Sequence, residues 1–137
     1  MKPIILLIDD ESRPMRFYRK ALETSGFTVE QRYNPDDALS FLRTAGVNVS
    51  IIILDIMMSP GKTFERADTR EGLNTGRFLF EVVRKEWPDT PVIVLTNVAL
   101  VDLGPLAGGT QVFKKIDLDP FELASAVRAM VKEARNA

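Results

Sequence analysis

Three short runs of consecutive apolar residues restrict the fold of this chain more than any other feature: Ile4-Ile5-Leu6-Leu7-Ile8, Ile51-Ile52-Ile53-Leu54 and Val92-Ile93-Val94-Leu95. Each is rich in β-branched side chains and has no polar residue on either face. Strands covered on both sides read this way, and such strands belong to parallel sheets. Phe27-Thr28-Val29-Glu30 alternates instead, as an edge strand does, and Gln111-Val112-Phe113-Lys114 is a weaker fifth strand, again at an edge.

The segments between the strands carry helical spacing and helix punctuation. Ser12 opens a first helix with Pro14 in its first turn; Met15, Phe17, Tyr18 and Leu22 lie along it, and Gly26 closes it. Asn34-Pro35 opens a second through Ala38, Leu39 and Leu42, ended by Gly46. A third runs from about Gly72 to Glu86 with Leu73, Phe78, Leu79, Val82 and Val83 inward, before Pro88. Asp119-Pro120, a cap followed by a first-turn proline, opens the last, which continues through Leu123, Val127, Met130 and Val131.

Alternating strands and helices predict an α/β, doubly wound sheet of five parallel strands with helices on both faces, and right-handed crossovers favour the order 2-1-3-4-5. With 137 residues and no repeat, linker or low-complexity tract, residues 1–137 read as a single domain with no output domain after it. Two places break the rhythm. Ile56–Glu71 is a long connection containing the charged stretch Lys62–Glu71, for which a solvated, mobile loop is the plain expectation and a binding surface the alternative. Asn97–Gly109 stands where a fourth helix belongs, but Gly104-Pro105 and Gly108-Gly109 leave room only for a short one.

Composition removes whole classes of function. Without cysteine there is no disulfide, thiolate zinc site, iron–sulfur cluster or cysteine nucleophile; without histidine there is no Ser-His-Asp triad, imidazole metal site or phosphohistidine on this chain. Eighteen basic and nineteen acidic residues nearly cancel, which leaves no overall field for nucleic acid or an anionic membrane. No apolar run approaches a membrane span or a signal-peptide core, so the expected compartment is the cytoplasm. Any metal must be a hard cation on oxygen ligands.

In an open parallel sheet, ligands bind beyond the carboxyl ends of the strands, where the strand order reverses. Those ends carry Asp9 and Asp10 after the first strand, Asp55 after the third, Thr96 after the fourth and Lys115 after the fifth. Three carboxylates are expected to share one small cleft. Two carboxylates ~4 Å apart repel by about 4 kcal/mol at an effective dielectric near 20, so positive charge must offset them. Lys115 supplies one such charge and Mg²⁺ is the natural second. A carboxylate beside Mg²⁺ is a nucleophile for a phosphoryl group, with the lysine and a threonine hydroxyl stabilising the transferring oxygens; the product is an aspartyl phosphate. Taken singly, each residue has a plainer role as turn former, helix cap or solvated side chain; the conjunction carries the functional reading.

Leu7-Ile8-Asp9-Asp10-Glu11, Ile53-Leu54-Asp55-Ile56-Met57-Met58, Val94-Leu95-Thr96 and Phe113-Lys114-Lys115, in that order, resemble the receiver domain of two-component response regulators over essentially the whole chain. The resemblance implies a flavodoxin-like fold in which Asp55 accepts a phosphoryl group from a sensor histidine kinase or phosphotransfer protein. It implies that Asp10, Asp55 and the main-chain carbonyl of Met57 ligate Mg²⁺, with Asp9 acting mostly through water. Thr96 and Lys115 would hold the phosphoryl oxygens, and Phe113 would change rotamer together with Thr96. Lys115 is preferred to Lys114 because strand alternation places 113 and 115 on one side.

The expected function is a stand-alone phosphoacceptor that signals through contacts with a downstream protein, without direct nucleic-acid or membrane binding, and is not an enzyme beyond its own phosphorylation and slow dephosphorylation. Apolar Met57 and Val98 near the phosphoryl group favour that slowness. The sequence departs from the family pattern at Ser59, Asn97 and Ile116, the last standing where a proline is usual, and in its longer loop. These departures motivate the alternative, an interaction module that works without phosphorylation.

Overall fold

The computed structural model describes residues 2–10, 12–45, 48–97 and 109–136. Five strands, β1 (Ile4–Ile8), β2 (Thr28–Arg32), β3 (Val49–Leu54), β4 (Val92–Thr96) and β5 (Thr110–Lys114), form one sheet in the order β2-β1-β3-β4-β5. Every neighbouring pair is parallel. This is the flavodoxin-like topology expected from the alternation of strands and helices. Among the described residues four helices, α1 (Ser12–Thr24), α2 (Pro35–Ala45), α3 (Thr75–Glu86) and α4 (Pro120–Asn136), cover the two faces.

Period-two alternation sorts the apolar runs into two cores. Ile5, Leu7, Ile51, Ile53, Ile93 and Leu95 face α1 and α4, where Met15, Leu22, Leu123 and Val127 are buried against them. Leu6, Ile8, Ile52, Leu54, Val92 and Val94 face α2 and α3, meeting Leu39, Leu42, Leu79 and Val83. Burying one such side chain stabilises the fold by about 1.5–3 kcal/mol. The outer strands β2 and β5 are only partly buried, as their weaker patterns predict.

Local chemistry fixes the helix ends. Asn34 caps α2 by accepting the Asp37 amide at 2.8 Å, and its side-chain amide donates to the Asp37 carboxylate at 3.0 Å. Asp119 and Glu122 form a reciprocal box at the start of α4: the Glu122 amide donates to Asp119 and the Asp119 amide donates to Glu122. Gly26 takes φ +98° beyond α1, a conformation that favours glycine.

Three expectations need correction. The third helix starts at Thr75, not Gly72, because Arg70, Glu71 and Gly72 all take positive φ (52°, 58° and 94°), which no right-handed helix tolerates. Leu73 therefore belongs to a turn and is 49% exposed instead of inward. Phe17 likewise faces solvent, while its neighbours Met15 and Leu22 carry the buried stripe of α1.

The charged stretch 62–71 is largely solvent-exposed, as expected, and is tied to the fold at particular points. The Asp36 carboxylate in the first turn of α2 accepts the Lys62 amide at 2.9 Å, the Thr63 amide at 2.8 Å and the Thr63 hydroxyl. These bonds hold the Asp36 carboxyl below the usual carboxylate range, the Thr63 hydroxyl first among the causes. Phe64 is buried and tilts against Phe78 of α3 at a centroid distance of 5.9 Å. Charge counting hides this because one aromatic and one threonine anchor an otherwise polar loop. The short fourth helix expected between Asn97 and Gly109, and Val98 with it, fall outside the described residues.

Candidate phosphoacceptor site

The sheet register builds the site. Ile8 of β1 pairs with Leu54 of β3, so Asp9 and Asp55 leave two adjacent strands side by side. Their backbones stay tied to the sheet: the Asp9 amide donates to Arg32 O and the Asp55 amide to Ile8 O, both at 3.0 Å. Both side chains are buried, at 1% and 4% exposure.

The charge that offsets them arrives from beyond β5. Lys115 Nζ lies 2.8 Å from Asp9 Oδ2 and 2.8 Å from Asp55 Oδ2, with only 9% of its side chain exposed. Burial works against the ammonium, but the hydrogen bonds and charges of Asp55 and Asp9 outweigh it and hold the lysine well above its ordinary pKa. Removing one partner from a buried pair of this kind costs about 3–5 kcal/mol, because it strands the other charge. The second oxygen of Asp55, Oδ1, accepts the Ile56 amide at 2.6 Å.

Thr96 ends β4 with no exposed surface, and Asn97 after it is exposed. Phe113, paired with Leu95, is half-buried against the α1–α4 core. Lys114 pairs with Thr96 at the end of β5, and it is Lys115, first residue of a 3₁₀ turn to Asp117, that reaches the carboxylates.

Asp10 is placed differently from the expectation. It is exposed and, with Met57, Ser59, Glu71 and Gly72, lines a cleft of about 350 Å³ beside the buried pair. Among the described residues no three acidic side chains form a group that could hold a metal ion. Two carboxylates joined by one lysine form the buried part of the site, and Asp10 lies at its rim, where the chain has left the sheet. The donors available here are still all oxygens. That set fits Mg²⁺, which takes one or two carboxylates and completes its shell with water and phosphate oxygens.

Two glycines shape the site: Gly76, which sequence patterning does not single out, and Gly72, which it marks only as a helix start. At Gly76 the amide donates to Ile56 O at 2.8 Å, and a Cβ there would sit 2.2 Å from Asp55 O. Only glycine lets α3 start against the backbone of Asp55. Gly72 returns the long connection to the same segment, accepting the Met58 amide at 3.1 Å; a Cβ would meet Met58 O at 2.8 Å. A glycine inside the helical period of 72–86 is the available signal for the first.

The family model described as the response regulator receiver domain matches residues 5–107. The chain belongs to the response regulator receiver domain family. The receiver is 27% identical over 132 residues to the transcriptional regulatory protein ResD of Bacillus subtilis (strain 168), an alignment covering 95% of this chain and 48% of ResD. The chain thus spans about half the length of that curated relative. A receiver domain protein from Clostridium thermocellum superimposes with TM-score 0.77 at 23% identity, covering 97% of both chains. A CheY-like receiver from Methanospirillum hungatei JF-1 gives 0.79 at 19% identity, covering 99% of this chain and 98% of the other. At such identities these two likenesses speak for the receiver fold alone. The family is a signalling family and not one of classical enzymes, and no helix among the described residues is long and apolar enough to cross a membrane.

Proposed function

We propose that the chain is an Mg²⁺-dependent phosphoacceptor in which Asp55 takes a phosphoryl group from a histidine kinase or phosphotransfer protein and relays the signal through protein contacts. The observation that carries this reading is the Lys115 ammonium held 2.8 Å from both Asp9 and Asp55 at the carboxyl edge of the sheet.

Each residue has a distinct task. Asp55, the buried carboxylate at the end of β3 that shares the lysine with Asp9, is the nucleophile: one of its oxygens forms the new P–O bond as the donor's P–N bond breaks, and the leaving imidazole keeps the electron pair and a proton. With a small acyl phosphate the bond broken is P–O and the leaving group is a carboxylate. Asp10, Asp55 and the Met57 carbonyl, with Asp9 through water, would hold Mg²⁺. When bound, the ion neutralises charge on the transferring oxygens. Lys115 already stands where negative charge develops, so it needs little reorganisation. The Thr96 hydroxyl donates to a phosphoryl oxygen, and Phe113 follows Thr96 as that bond forms. Met57, 45% exposed at the cleft, offers no group to orient an attacking water, so the acyl phosphate hydrolyses slowly.

Incubation with Mg²⁺ and acetyl phosphate, read by intact mass, tests the reading. Wild type should gain one phosphoryl group and Asp55→Asn none. An unchanged wild-type mass would sink it and favour an interaction module that works without phosphorylation. A phosphoryl lifetime of seconds would contradict the role given to Met57.

A further inference from the structure

The lysine that joins the two buried carboxylates sits on a short turn whose far end, Leu118, is buried in the α1–α4 core. Lys115 opens a single 3₁₀ turn, and the amide that closes it, Leu118 N to Lys115 O, is at 3.4 Å, the long end of a hydrogen bond. Ile116 is 84% exposed and Asp117 is exposed too, so neither side chain anchors the turn in the core.

The backbone at both ends of the turn is held by a residue about a hundred positions earlier in the chain. The Tyr18 hydroxyl on α1 donates to Leu118 O at 2.7 Å and is shared with Lys115 O at 3.1 Å. The Tyr18 ring is half-buried against the α1–α4 core, and the helix beneath it is fixed by Met15 and Leu22, neither of which has exposed surface. One hydroxyl thus clasps both ends of the turn and refers them to a rigid helix.

We infer that Tyr18 is a positioning residue for Lys115: by holding the carbonyls of 115 and 118 it fixes the backbone from which the ammonium reaches Asp9 and Asp55. A lysine has four rotatable side-chain bonds, so the place of Nζ is defined only if its Cα is. Both carboxylates are set by the sheet, whereas the lysine lies one residue past the end of an edge strand. The hydroxyl supplies the order that β5 no longer gives. In its effect on phosphoryl transfer this inference rests on the function proposed above.

Tyr18→Phe tests it, because the variant keeps the ring and deletes only the hydroxyl. At saturating Mg²⁺ the maximal rate of phosphorylation by acetyl phosphate should fall three- to tenfold, while the half-saturating donor concentration changes less than twofold. In a Lys115→Ala background the same substitution should change the rate less than twofold, since there is no ammonium left to place. Equal losses in both backgrounds would overturn the inference.

A second readout does not depend on phosphorylation. The Lys115 ammonium, assigned by its absence in Lys115→Ala, should give a slowly exchanging ¹H–¹⁵N signal in wild type and exchange at least threefold faster in Tyr18→Phe. An unchanged exchange rate would overturn the positioning role even if phosphorylation succeeds. A wild type that shows the faster exchange on mutation but takes up no phosphoryl group would sink the proposed function and support the clasp.

Discussion

Two partly buried cations mark the opposite ends of β5, and they are held in opposite ways. Arg84 of α3 sits at the start of the strand, donating to Thr90 O at 2.6 Å, Gly109 O at 3.0 Å and Thr110 Oγ1 at 3.0 Å, with its guanidinium 5.6 Å from the centre of the Phe80 ring. Among the described residues these partners are all neutral, and burial lowers the Arg84 pKa. Lys115, just past the other end, is held by two carboxylates that raise its pKa. The arginine ties two backbone carbonyls and one threonine hydroxyl to α3, none of them a countercharge. The lysine completes a knot of two negative charges and one positive, which has a charge of −1 to offer a cation. One end of the strand is tied by neutral partners; the other is a charged cluster, and the proposed function gives that cluster a cation to bind.

That contrast can be broken in several ways. The largest expected effect is on transfer. Lys115→Ala should slow phosphorylation of Asp55 by about 100-fold, the usual scale for losing one donor to a developing anion, whereas Arg84→Ala should change it less than twofold. Comparable losses in the two variants, followed by intact mass over time, would erase the distinction between the ends.

Stability should show the converse pattern toward metal. Mg²⁺ at about 100 times its dissociation constant should stabilise wild type and Arg84→Ala alike by about 2.7 kcal/mol, and Asp55→Asn by less than half of that, in urea unfolding. Equal gains in all three would contradict a metal-binding role for Asp55. In the absence of Mg²⁺, Arg84→Ala should cost about 2 kcal/mol by removing the charge-assisted hydrogen bonds to Thr90 O, Gly109 O and Thr110 Oγ1. A loss under 0.5 kcal/mol, within the range of about ±0.5 kcal/mol usual for surface substitutions, would show that the arginine is not the clasp its bonds suggest.

The smallest effect is the alkaline limb. The Lys115 pKa is raised above its unfolded value of 10.5, so its contribution is fully present below that pH and is lost as pH rises through the folded value. The stability difference between wild type and Lys115→Ala should therefore be flat to about pH 10 and then shrink by up to about 1.4 kcal/mol per pH unit. A difference that grows with pH would reverse the sign of the coupling.

Much of this was legible in the residues themselves, for a physical reason. Strands buried on both faces leave no polar residue in their pattern, so β1, β3 and β4 announce a parallel sheet, and a parallel sheet announces that Asp9, Asp55, Thr96 and Lys115 stand at one edge. The choice of Lys115 over Lys114 followed from alternation along β5, and Nζ of 115 is the one placed between the carboxylates. What stayed hidden depends on contacts between distant segments. Tyr18 reads as one more apolar position on α1 until its hydroxyl is seen on the 115–118 turn. Asp36 reads as a first-turn acid of α2 until Lys62 and Thr63 close on it. Asp10 looks equivalent to Asp9 in sequence, but one lies inside the fold and the other on a rim. Positive φ at Arg70 and Glu71 delays α3 by a turn, and neither residue type signals that conformation.

The claim on which the rest depends is that Asp55 carries the phosphoryl group. After reaction with acetyl phosphate and Mg²⁺, borohydride reduction converts an acyl phosphate into the corresponding alcohol, so a phosphorylated aspartate becomes homoserine and can be located by peptide mass mapping. Homoserine at position 55, with Asp9 and Asp10 unmodified, is the predicted result. Homoserine at another aspartate, or at none in a protein that has gained phosphoryl mass, would contradict it.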